Sequence, residues 1–131
     1  MGTRGIPYRD AVHRALILLR GQWTTALLAS LALGARQYKD ILVAINEAER
    51  TNPQPSHPKP LTERTLTDTL RRAHEDGLVT RTANPGRFGT VTYALTSKGR
   101  TLLQALRPLA EWTQRWEGDD SVKPISQGPT E

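Results

Sequence analysis

Residues 62–95, TERTLTDTLRRAHEDGLVTRTANPGRFGTVTYAL, decide the fold of this 131-residue chain. The segment opens with a helical pattern, in which Thr62 is a suitable N-cap and Gly77 a suitable helix stop. The apolar stripe between these two residues consists of Leu66, Leu70 and Ala73. We therefore predict a helix from about Thr62 to Asp76, with polar residues on its opposite face.

Two runs of strand length follow this helix, at residues 78–82 and 90–95. They are rich in β-branched and aromatic residues, and the proline- and glycine-containing segment between them is typical of a turn. The sequence therefore predicts a hairpin directly after the helix. A helix pair followed at once by a hairpin is the plan of a winged helix, in which the second helix of the pair enters the major groove of DNA.

Periodic apolar residues upstream predict three further helices, at about residues 8–19, 24–33 and 37–48. Thr24 or Thr25 is the expected N-cap of the second of them. Residues 51–60 alternate prolines with polar residues, so we expect them to form an extended and mobile loop inserted between the third and fourth helices.

The last helix is capped by Thr96 or Ser97, and Pro108 is expected to kink or divide it because proline removes a backbone donor. The predicted fold class is mainly α with a small β-hairpin wing. The predicted divisions are an N-terminal arm (1–7), a winged helix-turn-helix domain (8–117) that ends in a C-terminal dimerisation helix (97–117), and a disordered tail (118–131).

The charge distribution favours a partner that is a polyanion. The chain has a net charge of +5, and its residues after Trp116 include four acidic residues and one lysine, which leaves +8 for residues 1–116. A folded core this basic is the electrostatic pattern of a nucleic-acid-binding protein.

The composition also excludes several classes of chemistry. The chain contains no cysteine, which excludes disulfides, thiolate catalysis and thiol redox sensing by its own residues. No apolar run is long enough for a membrane span, and the first residues do not resemble a signal peptide, so we expect a cytoplasmic protein, nucleoid-associated through DNA binding. We find no pattern typical of a catalytic, cofactor or metal site, and expect no enzyme activity.

Eight polar residues are candidates for DNA contact, on the predicted fourth helix, on the hairpin and at the start of the third helix. They are Lys39, Thr62, Arg64, Thr65, Asp68, Arg71, Arg81 and Arg87. Arginine can bind guanine through two hydrogen bonds, aspartate can accept from cytosine, and an arginine at the hairpin tip can reach phosphate or the minor groove.

The same helix face has a simpler interpretation as a solvated surface. Arg64 and Asp68, like Arg71 and Glu75, are four residues apart and can form surface ion pairs. Asp68 could therefore serve only to orient Arg64 or Arg71.

The last helix is richer in leucine and tryptophan than one small domain can cover, which favours a homodimer. The candidate interface residues are Val12, Leu16, Leu102, Leu106, Leu109, Trp112 and Trp116. Trp23 and Trp112 are also weak candidates for binding an aromatic ligand, although tryptophans on a leucine stripe more often belong to a core or an interface.

Several segments together resemble the HxlR-type winged-helix regulators. They are LLRGQWT (18–24), LTERTL (61–66), LRRAHEDGLV (70–79), VTYALTSKGR (91–100) and LAEW (109–112). The resemblance covers about residues 8–116. It implies a homodimeric DNA-binding repressor or activator, with the first and last helices forming much of the dimer interface.

The chain departs from that family pattern in two ways besides Pro108. Many members carry a sensing cysteine just before the first helix, whereas Tyr8 stands near that place here. The proline-rich insertion at 51–60 also lengthens the connection within the helix-turn-helix.

We therefore expect a transcriptional regulator, in the first instance a repressor, that binds a near-palindromic promoter site as a homodimer and responds to a small-molecule effector. Two alternatives remain open: a winged helix used for protein–protein contact, and a small-molecule-binding protein with a minor role at DNA.

Overall fold

The computed structural model describes residues 5–53, 55–86 and 89–117. The elements in these ranges are, in chain order, α1 (Tyr8–Leu18), α2 (Thr24–Ser30), β1 (Arg36–Gln37), α3 (Tyr38–Thr51), α4 (Glu63–Glu75), β2 (Val79–Ala83), β3 (Val91–Leu95), α5 (Ser97–Ala105) and α6 (Arg107–Glu117). The strands form one antiparallel sheet in the order β1-β3-β2. The predicted fold class, mostly helical with a small antiparallel wing, is confirmed.

The core lies between α2, α3 and α4 and is closed by the first residues of the wing. Its side chains with the least exposure are Leu27, Leu28, Leu31, Ile41, Leu66, Leu78 and Val79. Burial of a leucine or isoleucine side chain contributes roughly 1.5–3 kcal/mol, so this cluster fixes how the three helices are rotated against one another. The polar face of α4 is left outside.

Local signals determine both ends of α4, as the sequence predicts. The Thr62 hydroxyl accepts a hydrogen bond from the Thr65 backbone N–H at 3.2 Å, which satisfies one of the donors that a helix start leaves unpaired. At the other end Gly77 has φ +76°, a left-handed conformation that favours glycine. Leu78 then donates its N–H to the Ala73 carbonyl at 2.9 Å, and the chain turns directly into β2.

The segment from Trp23 to Gln37 differs from its prediction. Neither threonine is the N-cap of α2: Trp23 holds that position, and the Thr24 hydroxyl donates instead to the Arg20 carbonyl at 2.8 Å. The helix ends at Ser30, and Leu33, which the periodicity assigns to it, is 96% exposed. The chain uses these residues to reach β1, a strand of two residues that is too short to show an alternating pattern.

The second half of the proline-rich insertion, which the sequence predicts to be an extended and mobile loop, makes contacts with the domain. The His57 ring stacks on Trp23, with ring centroids 3.6 Å apart and planes 12° from parallel. Glu49 accepts hydrogen bonds from the backbone N–H groups of Ser56, at 3.0 Å, and His57, at 3.3 Å. Because proline has no backbone N–H, the insertion has few N–H groups that need a hydrogen-bond acceptor. The single carboxylate of Glu49 accepts from two of them, those of Ser56 and His57.

The division of the last helix at Pro108 is confirmed. One helix ends at Ala105, Leu106 forms a turn, and Pro108 is the second residue of α6, where its missing N–H costs nothing. No residue of α1 or α6 is buried. The predicted disordered tail, residues 118–131, lies outside the described residues, as does the first part of the predicted arm.

The start of α5 is tied to the end of α4. The Thr96 hydroxyl accepts from the Gly99 N–H at 2.9 Å and donates to the Gly77 carbonyl at 2.6 Å. Lys98 donates through Nζ to the Asp76 carbonyl at 2.9 Å. The two helices and the base of the wing are therefore held together by hydrogen bonds.

We expect Gly99→Ala to destabilise the fold by roughly 1–3 kcal/mol, because α5 must move away from the start of the wing. A Cβ built at Gly99 lies 2.1 Å from the Leu78 carbonyl oxygen, and backbone at both places leaves little room to yield. Thermal unfolding followed by circular dichroism measures the effect. Gln104→Ala on the exposed side of the same helix is the control. An unchanged midpoint for Gly99→Ala would show that α5 is not seated on Leu78.

Candidate nucleic-acid interface

The outward face of α4 carries most of the predicted DNA-contacting residues. Arg64, Asp68 and Arg71 are exposed on it, and Thr65 is half-buried at its start. Burial of Leu66, Thr69 and Leu70 on the opposite side sets this orientation. Arg64 has no ion-pair or hydrogen-bond partner among the residues that the structure describes.

Arg71 is the arginine that Asp68 orients. Its guanidinium lies 3.3 Å from an Asp68 oxygen and 3.8 Å from a Glu75 oxygen, and all three side chains are more than half exposed. The predicted pair of Arg71 with Glu75 is therefore present, whereas Arg64 does not form the other one. Exposed pairs of this kind contribute about 0.2–1 kcal/mol, so the guanidinium can exchange its carboxylates for an anion.

Tyr38 is a residue of this site that sequence reasoning assigned only to the apolar stripe of the third helix. Its hydroxyl donates to the Glu63 carbonyl at 2.7 Å and forms a hydrogen bond with the Thr67 hydroxyl at 3.0 Å. These contacts join the start of α3 to the first turns of α4. No local pattern could have indicated them, because the two partners lie 25 and 29 residues away along the chain.

Next to this contact a groove of about 270 Å³ separates α4 from the wing. Arg71 on the helix and Arg81 on β2 both line it, together with His74, Tyr38 and Tyr93. The structure thus brings two of the predicted arginines, from different elements, to one groove.

Three predicted contact residues differ in how they are placed. Thr62 is the helix cap already described, and its hydroxyl also donates to Thr65 at 3.1 Å. Lys39 is exposed at the start of α3, beside Tyr38. Arg87, at the expected hairpin tip, lies outside the described residues.

The predicted dimer residues fall into two groups. Leu102 and Leu106 are half-buried, and Leu102 packs against the core. The other five are exposed by 41% to 58%: Val12, Leu16, Leu109, Trp112 and Trp116. Trp112 and Trp116 contact each other at a centroid distance of 6.5 Å.

Trp23 and Trp112, the two candidates for a ligand site, have different environments. Trp23 is 4% exposed, belongs to the core and has one ring face covered by His57. Trp112 is exposed on α6. Trp23 is therefore a core residue, in agreement with the commoner role of such tryptophans.

The described parts of the chain contain neither a membrane-spanning helix nor a cluster of metal ligands. No helix there is long and apolar enough to cross a bilayer. Within residues 5–53, 55–86 and 89–117, no three His, Asp or Glu side chains gather as metal ligands would.

Known proteins are similar to this chain in sequence and in architecture. The family model of HxlR-like helix-turn-helix proteins matches residues 18–121. An HTH-type transcriptional regulator of Methanothermobacter thermautotrophicus, itself uncharacterized, is 31% identical over 105 residues, which are 80% of this chain and 70% of the relative.

Solved structures give the same result. A MarR-family transcriptional regulator from Enterococcus faecalis V583 superposes with a TM-score of 0.73 at 25% identity, over 89% of this chain and 94% of its own. The reduced form of the redox regulator HypR has a TM-score of 0.61 at 28% identity, over 82% and 94% of the two chains. The chain therefore belongs to the family of HxlR-like helix-turn-helix proteins, which are DNA-binding transcription regulators of the winged-helix type.

Proposed function

We propose that this regulator binds a near-palindromic promoter site as a homodimer and represses transcription by occluding the promoter, in the cytoplasm and on the nucleoid. The observation that carries the proposal is the outward face of α4. Among the described residues it presents an arginine without a partner, Arg64, about two turns from Arg71, whose guanidinium lies near the Asp68 and Glu75 carboxylates. A helix with this face fits the major groove, and the residues beside it fit the phosphates.

The roles within the interface follow from the chemistry of each group. Arg64 and Arg71 donate to guanine O6 and N7, and Asp68 accepts from cytosine N4 or holds Arg71 in place. Lys39, Thr62 and Thr65 bind phosphate oxygens near the start of α4. Arg81 and Arg87 contact the backbone or minor groove beside the wing.

The terminal helices provide the surface that contacts the second copy of the chain. α1 and α6 contain no fully buried residue in the protomer and expose Val12, Leu16, Leu109 and two tryptophans, and two such faces cover each other in a two-fold dimer. The dimer then presents two α4 helices to half-sites about one turn of duplex apart, about 34 Å.

The input signal is a small molecule and not oxidation of the chain's own thiols. HypR is a redox regulator, but the present chain has no cysteine. A ligand acts by binding more tightly to one arrangement of the dimer than to the other, so it changes DNA affinity only by that difference.

We expect Arg64→Ala to weaken binding to the operator by roughly 1–3 kcal/mol, because it removes donors to a base edge. Fluorescence anisotropy on the DNA flanking the protein's own gene, with random duplex as competitor, measures the loss. Arg100→Ala removes an equal charge from the exposed side of α5 and is the matched control.

The decisive comparison is whether Arg64→Ala weakens binding to the operator more than binding to random duplex. If Arg64→Ala weakens binding to random duplex as much as to the operator, Arg64 contacts phosphate and not bases. If it changes neither, the alternative of a winged helix used for protein–protein contact is favoured.

We expect Trp112→Glu to convert the dimer to a monomer and to weaken operator binding, because it places a carboxylate in the apolar face of α6. Sedimentation equilibrium measures the oligomeric state, and circular dichroism should show an intact fold since this side chain is half exposed in the protomer. Val43→Glu, at an exposed apolar residue of α3, is the control. A dimer that survives Trp112→Glu would exclude α6 from the interface.

A further inference from the structure

A second cavity, of about 400 Å³, lies between the end of α3 and the proline-rich insertion. Pro55, Pro58 and Pro60 form its apolar wall, and three residues of α3 form the other side: Asn46, Glu49 and Arg50. Its size falls within the range of about 300–1,000 Å³ that is typical of small-molecule sites. The insertion that lengthens the helix-turn-helix therefore also builds a cavity.

The wall of this cavity is held in place by contacts to two parts of the chain, residues 22–23 and α3. The His57 ring lies on Trp23, its Nε2 is hydrogen-bonded to the Gln22 carbonyl, and its Nδ1 is 3.6 Å from a Glu49 oxygen. Glu49 also accepts the N–H groups of Ser56 and His57. With proline fixing φ at three further positions, the cavity is preformed and a ligand need not order the loop.

The polar groups that line the cavity are mostly occupied. The Asn46 amide donates to the Leu61 carbonyl at 3.0 Å and accepts the Leu61 N–H at 2.8 Å. The Arg50 guanidinium is paired with Glu47; its hydrogen bond and its charge lower the pKa of the Glu47 carboxyl and keep that partner ionised. Arg50 still has donors to spare, because guanidinium carries five.

Lys59 is the cation that the cavity leaves available. It is exposed and has no hydrogen-bond or ion-pair partner among the described residues. The unused polar groups of the lining are therefore the donors of two cations, Lys59 and Arg50, and the buried Nδ1 of His57, which lies 3.6 Å from a Glu49 oxygen and has no hydrogen-bond partner among the described residues. They stand beside an apolar wall of proline rings.

We propose that this cavity binds a small carboxylate with a flat apolar body, whose anion is held by Lys59 and Arg50 while its apolar face packs on the prolines. This inference rests on the proposed function and names the class of its effector. Such a ligand bridges the end of α3 and the insertion, next to Leu61 and the Thr62 cap. It thereby changes the position of the start of α4, and with it the affinity for DNA.

The test is isothermal titration calorimetry of the full chain with cinnamate and with its uncharged analogue cinnamamide. We expect cinnamate to bind, and cinnamamide to bind about tenfold more weakly because it lacks the charge-assisted hydrogen bonds. Lys59→Met should weaken the binding of cinnamate by about the same factor. Arg100→Met, which removes a cation from the exposed side of α5, should leave cinnamate binding unchanged.

A second arm measures operator affinity by anisotropy with and without cinnamate. We expect a several-fold shift for the unmodified chain and none for Lys59→Met, each compared with its own value without ligand. Since operator binding without cinnamate tests the proposed function, and calorimetry tests the cavity, the two can fail separately.

Three results would overturn the inference. Cinnamamide binding as tightly as cinnamate, or Lys59→Met binding as tightly as the unmodified chain, would assign the ligand to an apolar surface such as that of α1 and α6. No heat at millimolar cinnamate would exclude this ligand class. Lysine-dependent binding that leaves operator affinity unchanged would overturn the regulatory role.

Discussion

Burial of one face of α4 is the constraint on which the rest of the structure depends. Leu66, Leu70 and Ala73 enter the core beside α2 and α3, while Thr62 and Gly77 determine where the helix begins and ends. Together these residues fix the position and rotation of the helix. The exposed side chains of Arg64 and Arg71 are then directed outward by the packing of the opposite face, and Arg64 has no ion-pair or hydrogen-bond partner among the described residues.

Much of this arrangement could be predicted because its causes are local. A cap, a left-handed glycine and a 3.6-residue period all lie within fifteen residues of one another, and they give α4 and its outward face directly. The division at Pro108 is equally local. Strand β1 and the early end of α2 could not be predicted, since two residues show no alternation and Leu33 is apolar whether or not it is buried.

The parts of the site that sequence reasoning missed all depend on contacts between distant residues. Tyr38 lies on the stripe of α3, and only the fold shows that its hydroxyl reaches Glu63 and Thr67. His57 is likewise an isolated histidine in a polar loop until the fold places it on Trp23. Periodicity and caps describe one element at a time, so they identify the face of a helix but not what lies against it.

The break at Leu106 has a consequence for how the molecule can diversify. Thr96 and Lys98 bind the start of α5 to Gly77 and Asp76, directly after the end of α4, so α4 and α5 are held in a fixed arrangement. The first break in helical structure after these contacts is at Leu106, and no residue of α6, which follows it, is buried. In the proposed dimer, a change in the angle between α5 and α6 would alter the distance between the two α4 helices without altering the structure of either helix. Substitutions near residues 106–108 could therefore change the spacing between the half-sites that the proposed dimer recognises, without changing which bases α4 contacts.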